Sequence, residues 1–206
     1  TEEKICSRLD ALQIPYQRGV AGHGVCAVIR GTTADRTVGI RADIDALPVA
    51  EQTELAYASL NLGVMHACGH DMHTAILLGT AAILKQNADT LPGTVKLFFQ
   101  PSEETIGGAK QMIDAGCLED PHVENVIALH VDPMTDLGKL KFTKGCMNAA
   151  TTEMELTVRG KACHGAHPDT GIDVLPPACT VPIRYPHRKL LDGTLIMGVP
   201  LFAGKK

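Results

Sequence analysis

The chain has 206 residues, of which 45% are apolar, enough to build the core of one ordinary domain or one and a half small ones. A net charge of −4 and 3% aromatic residues argue against a nucleic-acid surface, which needs clustered basic side chains or base-stacking rings. No apolar run approaches the roughly 20 residues of a membrane-spanning helix. The seven cysteines are an odd number and no secretory signal is recognisable, so a reducing, cytoplasmic setting is predicted.

The first 145 residues alternate between predicted helices and predicted strands. Short apolar runs bounded by glycine are typical of strands, and longer segments rich in Ala, Leu and Ile are typical of helices. This alternation predicts an α/β domain with a largely parallel sheet. In chain order, the predicted elements are a helix containing Ile5, Leu9 and Leu12, strands at 24–30 and 37–41, a helix at 74–87, a strand at 95–99, a helix at 108–115 and a strand at 125–130.

The pattern changes near residue 146, where we predict a domain boundary. From residue 153 to residue 159, polar and apolar residues alternate strictly, which is typical of a strand with one buried face in an antiparallel sheet. Residues 1–145 and 146–206 are therefore predicted to form separate domains.

Two polar clusters lie in the first half of the predicted α/β domain, at strand ends or before helices, where ligands bind in open α/β sheets. Asp43 and Asp45 point to the same side if their strand continues, although such a pair by itself is more often a solvated strand end. His66, Cys68 and His70 place three ligands for a borderline-soft metal within five residues. The alternative interpretation of that second cluster is one buried cysteine with two surface histidines.

Two further clusters follow later strands. Glu103 and Glu104 come directly after the strand that ends at Phe99, so one of them can bind a metal while the other moves protons. A glutamate pair at this place is also typical of the first turn of a helix, where the helix dipole favours negative charge. His130 ends an apolar strand, where a lone histidine is more often a core residue. Together, however, the four clusters offer sulfur, nitrogen and oxygen ligands from several strand ends, which predicts a metal hydrolase site.

Five ordered motifs resemble the successive signatures of the dinuclear metal amidohydrolases of the aminoacylase, hippurate-hydrolase and auxin-conjugate-hydrolase family. The resemblance covers residues 1 to 175. It implies a three-layer, zinc-peptidase-like α/β catalytic domain over residues 1–145 and the start of a smaller α+β lid and dimerisation domain over residues 146–206, both incomplete. The motifs are RADIDALP at 41–48, MHACGHDMH at 65–73, QPSEE at 100–104, ALHV at 128–131 and GKACHGAHP at 160–168.

The resemblance also implies a metal site. Two divalent ions, which can be zinc, manganese, cobalt or nickel, share a bridging water in this family. The sulfur ligand favours zinc, whereas the oxygen and nitrogen ligands also admit the other three metals. By match to the motifs, the metal ligands are Cys68, His70, Glu104 and His130.

The remaining motif residues are assigned to catalysis by the same resemblance. Glu103 is the general base that takes a proton from the water. Asp43 and Asp45 match the acidic strand end that orients a ligand or the base, and the sequence does not decide between them. His164 belongs to the lid motif and stabilises the oxyanion of the tetrahedral intermediate, across a dimer interface. The resemblance therefore implies a homodimer formed through the lid domain.

The resemblance ends after residue 175. Family members continue there with a long helix and later supply one more histidine ligand. This chain instead has prolines at 176, 177, 182 and 186, which a helix interior does not tolerate, and its one later histidine, His187, stands in a different sequence context. We therefore expect a truncated family member with an atypical tail from about residue 176.

The leading functional hypothesis is a metal-dependent amidohydrolase that cleaves small-molecule N-acyl amino acids, such as hippurate and N-acetyl amino acids. One alternative is a truncated remnant or pseudoenzyme that binds metal without turnover, and another is a non-catalytic domain that binds metal or a partner. Because the last family ligand and much of the lid are missing from the match, the chain as given is expected to be nearly inactive and to self-associate. Metal stoichiometry together with hydrolysis separates the three hypotheses.

Overall fold

The structure is a computed structural model that describes residues 1–105, 107–142, 144–145 and 158–176. The chain divides into two compact units, of which the first is Thr1–Asp136 and the second begins at Leu137. The domain boundary near residue 146 stays a prediction. Across the described residues, every helix is too short or too polar to cross a membrane.

The first unit is built on a five-stranded mixed sheet. The strand order is β1-β2-β4-β3-β5, in which β3 pairs in parallel with β4 and with β5, and β2 pairs antiparallel with β1 and with β4. The strands are β1 (Tyr16–Val20), β2 (Gly24–Arg30), β3 (Thr37–Asp43), β4 (Thr94–Gln100) and β5 (Asn125–Ala128).

The sheet is mixed rather than largely parallel because of its first two strands. β1 was not predicted, since its sequence YQRGV has no apolar alternation and only Val20 is buried. Three residues join β1 to β2, which is too short for the crossover that parallel neighbours require. The antiparallel hairpin that results occupies one side of the sheet, and the three parallel strands occupy the other.

Three helices connect or cover the strands, and each lies where the sequence predicts one. The helix predicted from residue 74 begins earlier, at His70, so that His70 and His73 both lie in its first turn. This difference matters because it places two histidines at the end of the helix that faces the strand ends. The helices are α1 (Glu2–Ala11), α2 (His70–Gln86) and α3 (Gly108–Asp114).

Helical layers cover both faces of the sheet. Successive side chains of β4 point to opposite faces and all of them are buried, so each face needs a covering layer. Leu97 and Phe99 belong to a core that includes buried residues of α1 and α2. Phe98 points to the other face and packs with Met112 of α3. Lys96 is also buried on the α3 side, where its ammonium group donates to the carbonyl of Glu119 at 2.6 Å. The first unit is therefore a three-layer α/β structure.

The three parallel strands end at one edge of the sheet. Asp43 at the end of β3 is directly opposite Gln100 at the end of β4. On the other side of β3, Ala128 at the end of β5 is opposite Arg41. The polar segments that follow these strands therefore emerge side by side.

The second unit is described over only part of its length. Lys161 and Ile172 form an antiparallel bridge around a single 3-10 turn at Pro168–Thr170. Most of the strand predicted at 153–159 and the tail after residue 176 lie outside the described residues.

Candidate metal centre

The loop that enters α2 presents Cys68 and His70 to the strand ends. Gly69 separates them and takes a left-handed conformation, with φ of 82°, which a side chain rarely adopts. A Cβ atom at Gly69 would also lie 2.6 Å from Cγ2 of Val131. Glycine is therefore needed both for the turn and for the close approach of the segment that follows β5.

His70 is the centre of the cluster and is almost fully buried. Its Nδ1 atom lies 3.0 Å from the carbonyl oxygen of Asp45, which can only accept, so in the neutral ring Nδ1 carries the proton and Nε2 carries the lone pair. Nε2 lies 3.7 Å from an oxygen of Asp43 and 3.8 Å from an oxygen of Glu104. An oxygen of Glu103 is 4.0 Å away. A buried nitrogen with a lone pair thus faces three carboxylates and has no hydrogen-bond partner.

Cys68 and His130 form a second donor pair beside His70. The Sγ atom of Cys68 lies 3.5 Å from Nε2 of His130, and Nδ1 of His130 donates to the carbonyl of Val131 at 2.7 Å. Burial, the hydrogen bond with Glu104 and the negative charge of that carboxylate together raise the pKa of the Cys68 thiol to about 11. The thiol is therefore protonated at neutral pH unless a cation displaces its proton.

Three overlapping groups of side chains offer metal-ligand atoms within 4.8 Å of one another among the described residues, and His70 belongs to all three. His66 belongs to none of these groups, although it stands only four residues before His70 in the same motif. The groups are Cys68 with His70 and His130, Asp43 with His70 and His73, and His70 with Glu103 and Glu104.

Asp43 and Asp45 have different surroundings. One oxygen of Asp43 accepts from Arg41 at 2.8 Å, and the other contacts His73. Burial alone would raise the pKa of the Asp43 carboxyl, but the hydrogen bond with His73 and the charge of Arg41 outweigh burial and lower the pKa. Asp45 instead accepts the backbone N–H of Glu104 at 3.0 Å and holds His70 through its own carbonyl. Asp43 thus holds the side chains of Arg41 and His73, and Asp45 holds the His70 ring and the backbone of Glu104.

Two residues around Asp43 were not assigned a role from the sequence. Arg41 bridges Asp43 and the Gln100 side chain, to which its Nε atom donates at 2.8 Å. His73 is as buried as His70 and uses both ring nitrogens, as described below. The signal for His73 is its spacing of three residues from His70, which puts both on one helix face.

A match to a known protein family shows to which family the chain belongs. Residues 39–187 match the family described as peptidase family M20/M25/M40. The chain belongs to this family. It is 45% identical over 150 residues to the N-acetyl-L-cysteine deacetylase of Bacillus subtilis, an alignment that covers 73% of this chain and 36% of the relative. It is 40% identical over 187 residues to the IAA-amino acid hydrolase ILR1-like 5 of Arabidopsis thaliana, which covers 91% of this chain and 42% of the relative.

A solved M20 structure shares the fold. The YxeP protein of Bacillus subtilis, described as a dinuclear metal binding peptidase from the M20 family, superposes with a TM-score of 0.61 at 44% identity. The superposition covers 64% of this chain and 36% of that protein. The chain thus spans less than half the length of these M20 relatives.

One site residue predicted from the M20-like motifs lies in the second unit. His164 is exposed there, and its Nδ1 atom accepts the backbone N–H of Ala166 at 3.2 Å. Its ring centre lies 6.0 Å from that of His167. The role of His164 stays a prediction, whereas the other seven predicted site residues are brought together in the first unit: Asp43, Asp45, Cys68, His70, Glu103, Glu104 and His130.

Proposed function

We propose that this chain carries the metal centre of an M20 amidohydrolase that cleaves the amide bond of N-acyl amino acids. The observation that carries the proposal is the Nε2 atom of His70, a buried lone pair that has no hydrogen-bond partner and faces three carboxylates. Buried polar atoms without a partner are rare and costly. A bound cation would satisfy this nitrogen and the surrounding negative charge together.

The donor atoms are of the types that bind divalent metal ions, and we propose that two such ions share the site. The ligands we propose supply one sulfur, two nitrogens and carboxylate oxygens, which suit zinc and also admit manganese, cobalt or nickel. His70 and His130 each donate their Nδ1–H to a backbone carbonyl, an arrangement that orients metal-binding histidines. When bound, the ions supply the charge that lowers the pKa of a water molecule toward about 7. The proposed ligands are Cys68, His70, Glu104 and His130.

The two adjacent glutamates are proposed to differ in role. The backbone of Glu104 is held by Asp45, and its carboxylate interacts with both Cys68 and His70. The Glu103 side chain is 41% exposed and lies at the edge of the cluster, so it can reach the solvent and a substrate. In our proposal Glu103 accepts a proton from the attacking water and returns it to the leaving amine nitrogen.

Three other residues complete the proposed chemistry. Asp45 fixes His70 and Glu104, and Asp43 is held by Arg41 and His73 close to His70. His164 would donate a hydrogen bond to the oxyanion that develops on the carbonyl during attack. That role rests on the lid motif and calls for the homodimer expected from the sequence.

The substrate class is supported by the names of the relatives. One relative is named for deacetylation of N-acetyl-L-cysteine and another for hydrolysis of an IAA-amino acid. The finer expectation of hippurate and related N-acyl amino acids belongs to the same proposal. We also propose a cytoplasmic setting, because all five cysteines in the described part of the chain are free thiols.

The test combines metal analysis with hydrolysis. The purified chain would be loaded with zinc or manganese, its bound metal counted by elemental analysis, and its turnover measured on N-acetyl and N-benzoyl amino acids. The N-acetyl-L-cysteine deacetylase of Bacillus subtilis would serve as the full-length control. Two ions per chain with hydrolysis supports the proposal for this chain itself, and two ions without hydrolysis supports the metal centre together with the near-inactivity expected from the missing last ligand. One ion without hydrolysis supports a remnant that only binds metal, and no bound metal overturns the proposed centre.

A further inference from the structure

His73 is a buried histidine with both ring nitrogens engaged. Its Nδ1 atom lies 2.5 Å from an oxygen of Asp43, and its Nε2 atom lies 2.9 Å from the backbone nitrogen of Val131. A backbone N–H can only donate, so Nε2 must be the acceptor and the proton of the neutral ring must be on Nδ1. The surroundings therefore select one tautomer of His73.

This tautomer removes His73 from the set of metal ligands. Its one available lone pair, on Nε2, is used by Val131, and its Nδ1 proton is used by Asp43. His70 differs because its Nε2 atom has no hydrogen-bond partner. Two histidines in one turn of α2 thus have opposite properties, although both fall in a group with ligand-like spacing.

The contacts of His73 join two separate segments of the cluster. Asp43 is the last residue of β3. Val131 lies 58 residues after His73 in the chain and directly follows His130. The N–H of Val131 is held by His73, and the carbonyl of Val131 accepts from Nδ1 of His130 at 2.7 Å. The ring centres of His73 and His130 are also only 4.5 Å apart, with the planes inclined by 68°. The position of the His130 ring therefore depends on His73 twice.

We infer that His73 is a positioning residue of the metal centre, which fixes the backbone at Val131 and thereby aims Nε2 of His130 at the Sγ atom of Cys68. This inference rests on the proposed function, since it concerns how the proposed ligands are held. His73 does not touch the metal or the substrate in this role. It acts through Val131 and His130 on one side and through Asp43 on the other.

Two substitutions separate the two contacts. In His73→Gln, the side-chain oxygen can take the place of Nε2 and accept from Val131, whereas the contact with Asp43 is lost. In His73→Asn, the side-chain amide can take the place of Nδ1 and donate to Asp43, whereas the contact with Val131 is lost. Met72→Ala, at an exposed position of the same helix turn, is the matched control.

Cobalt absorption is the readout, because the charge-transfer band of a cobalt–thiolate bond reports Cys68 directly. In the full chain, His73→Asn is expected to weaken the Cys68-dependent cobalt binding by about 10- to 100-fold, the usual effect of removing a group that orients a ligand. His73→Gln is expected to stay closer to the wild type, and Met72→Ala to match it. Equal affinity and an equal band in His73→Asn and wild type would overturn the inference while leaving the metal centre intact.

A second measurement does not depend on variants or metal. Long-range ¹H–¹⁵N correlation spectra of the metal-free chain are expected to show His73 with its proton on Nδ1 and an unprotonated Nε2. A proton on Nε2 of His73 would overturn the inference even if the variants failed to fold. If the wild-type chain gave no Cys68-dependent cobalt band at all, that result would refute the proposed metal centre and, as a consequence, the positioning role of His73.

Discussion

The Sγ atom of Cys68 lies 3.5 Å from the Nε2 atom of His130, although 62 residues separate them in the chain. Cys68 precedes α2, and His130 follows β5 at the edge of the sheet. They meet because β5 pairs in parallel with β3, which brings the segment after β5 over the start of α2. This pair and His70 form one of the groups with metal-ligand geometry.

The first prediction concerns metal content. Cys68→Ala and His70→Ala should each strongly reduce the metal bound by the chain, because each removes a donor atom from the same cluster. Elemental analysis after dialysis measures the effect. The control is His122→Ala, which removes an exposed histidine that pairs with Glu119 outside the cluster. Unchanged metal in either cluster variant would refute the assignment of that ligand.

The second prediction separates the two glutamates. Glu104→Gln should lose metal because a ligand carboxylate becomes a neutral amide, whereas Glu103→Gln should keep metal and lose turnover because only the proton shuttle is removed. The pair should be compared in a full-length M20 relative at the matching positions, with metal analysis and hydrolysis rates measured on the same samples. Near-normal turnover of the Glu103→Gln equivalent would place the general base elsewhere.

The third prediction concerns His164. Its replacement by alanine, at the matching position of a full-length relative, should leave the metal content unchanged and slow hydrolysis by about 100- to 1000-fold, the usual effect of removing one oxyanion donor. The matched control is the alanine variant at the position of His167, the other histidine of the motif. A loss of only a few-fold with full metal content would contradict the oxyanion role.

The fourth prediction concerns the core that supports the strand ends. Leu97 is fully buried in the centre of β4, so Leu97→Ala should lower the free energy of unfolding by about 2–5 kcal/mol. Leu62→Ala, at a fully exposed leucine, should change it little. Urea denaturation followed by circular dichroism gives both values, and similar midpoints for the two variants would show that the β4 core is not as described.

The fifth prediction concerns the edge of the sheet. Within the described residues β5 pairs only with β3, and its Ile127 side chain is 61% exposed, so the strand offers an open apolar edge. Ile127→Lys should reduce self-association of the chain, because charge at an edge opposes strand pairing. Leu60→Lys removes an equally apolar exposed side chain away from any strand and should have less effect. Sedimentation velocity would show the difference, and equal effects would point to general hydrophobic association.

Local sequence patterns were sufficient to predict most helices and strands and to identify the candidate metal ligands. The continuous apolar run of β4 identifies a strand that is buried on both faces, and the buried residues of α1 recur with the period of a helix. The ordered motifs identify the M20 family and seven side chains that the fold brings together, because each motif keeps its donors within a few residues of a strand end or helix start.

Only the tertiary structure decided how those donors pair. The position of β4 between β2 and β3 depends on long-range hydrogen bonding, which no local periodicity encodes. Residue type alone does not distinguish His66, His70 and His73. Nδ1 of His66 and Nε2 of His70 are both buried without a hydrogen-bond partner, but it is Nε2 of His70 that lies within 4 Å of the carboxylates. His73 differs because a backbone N–H 58 residues away occupies its Nε2 atom. Which nitrogen of a histidine is free to bind a metal is determined by its neighbours in space, and these are set when the strand ends come together.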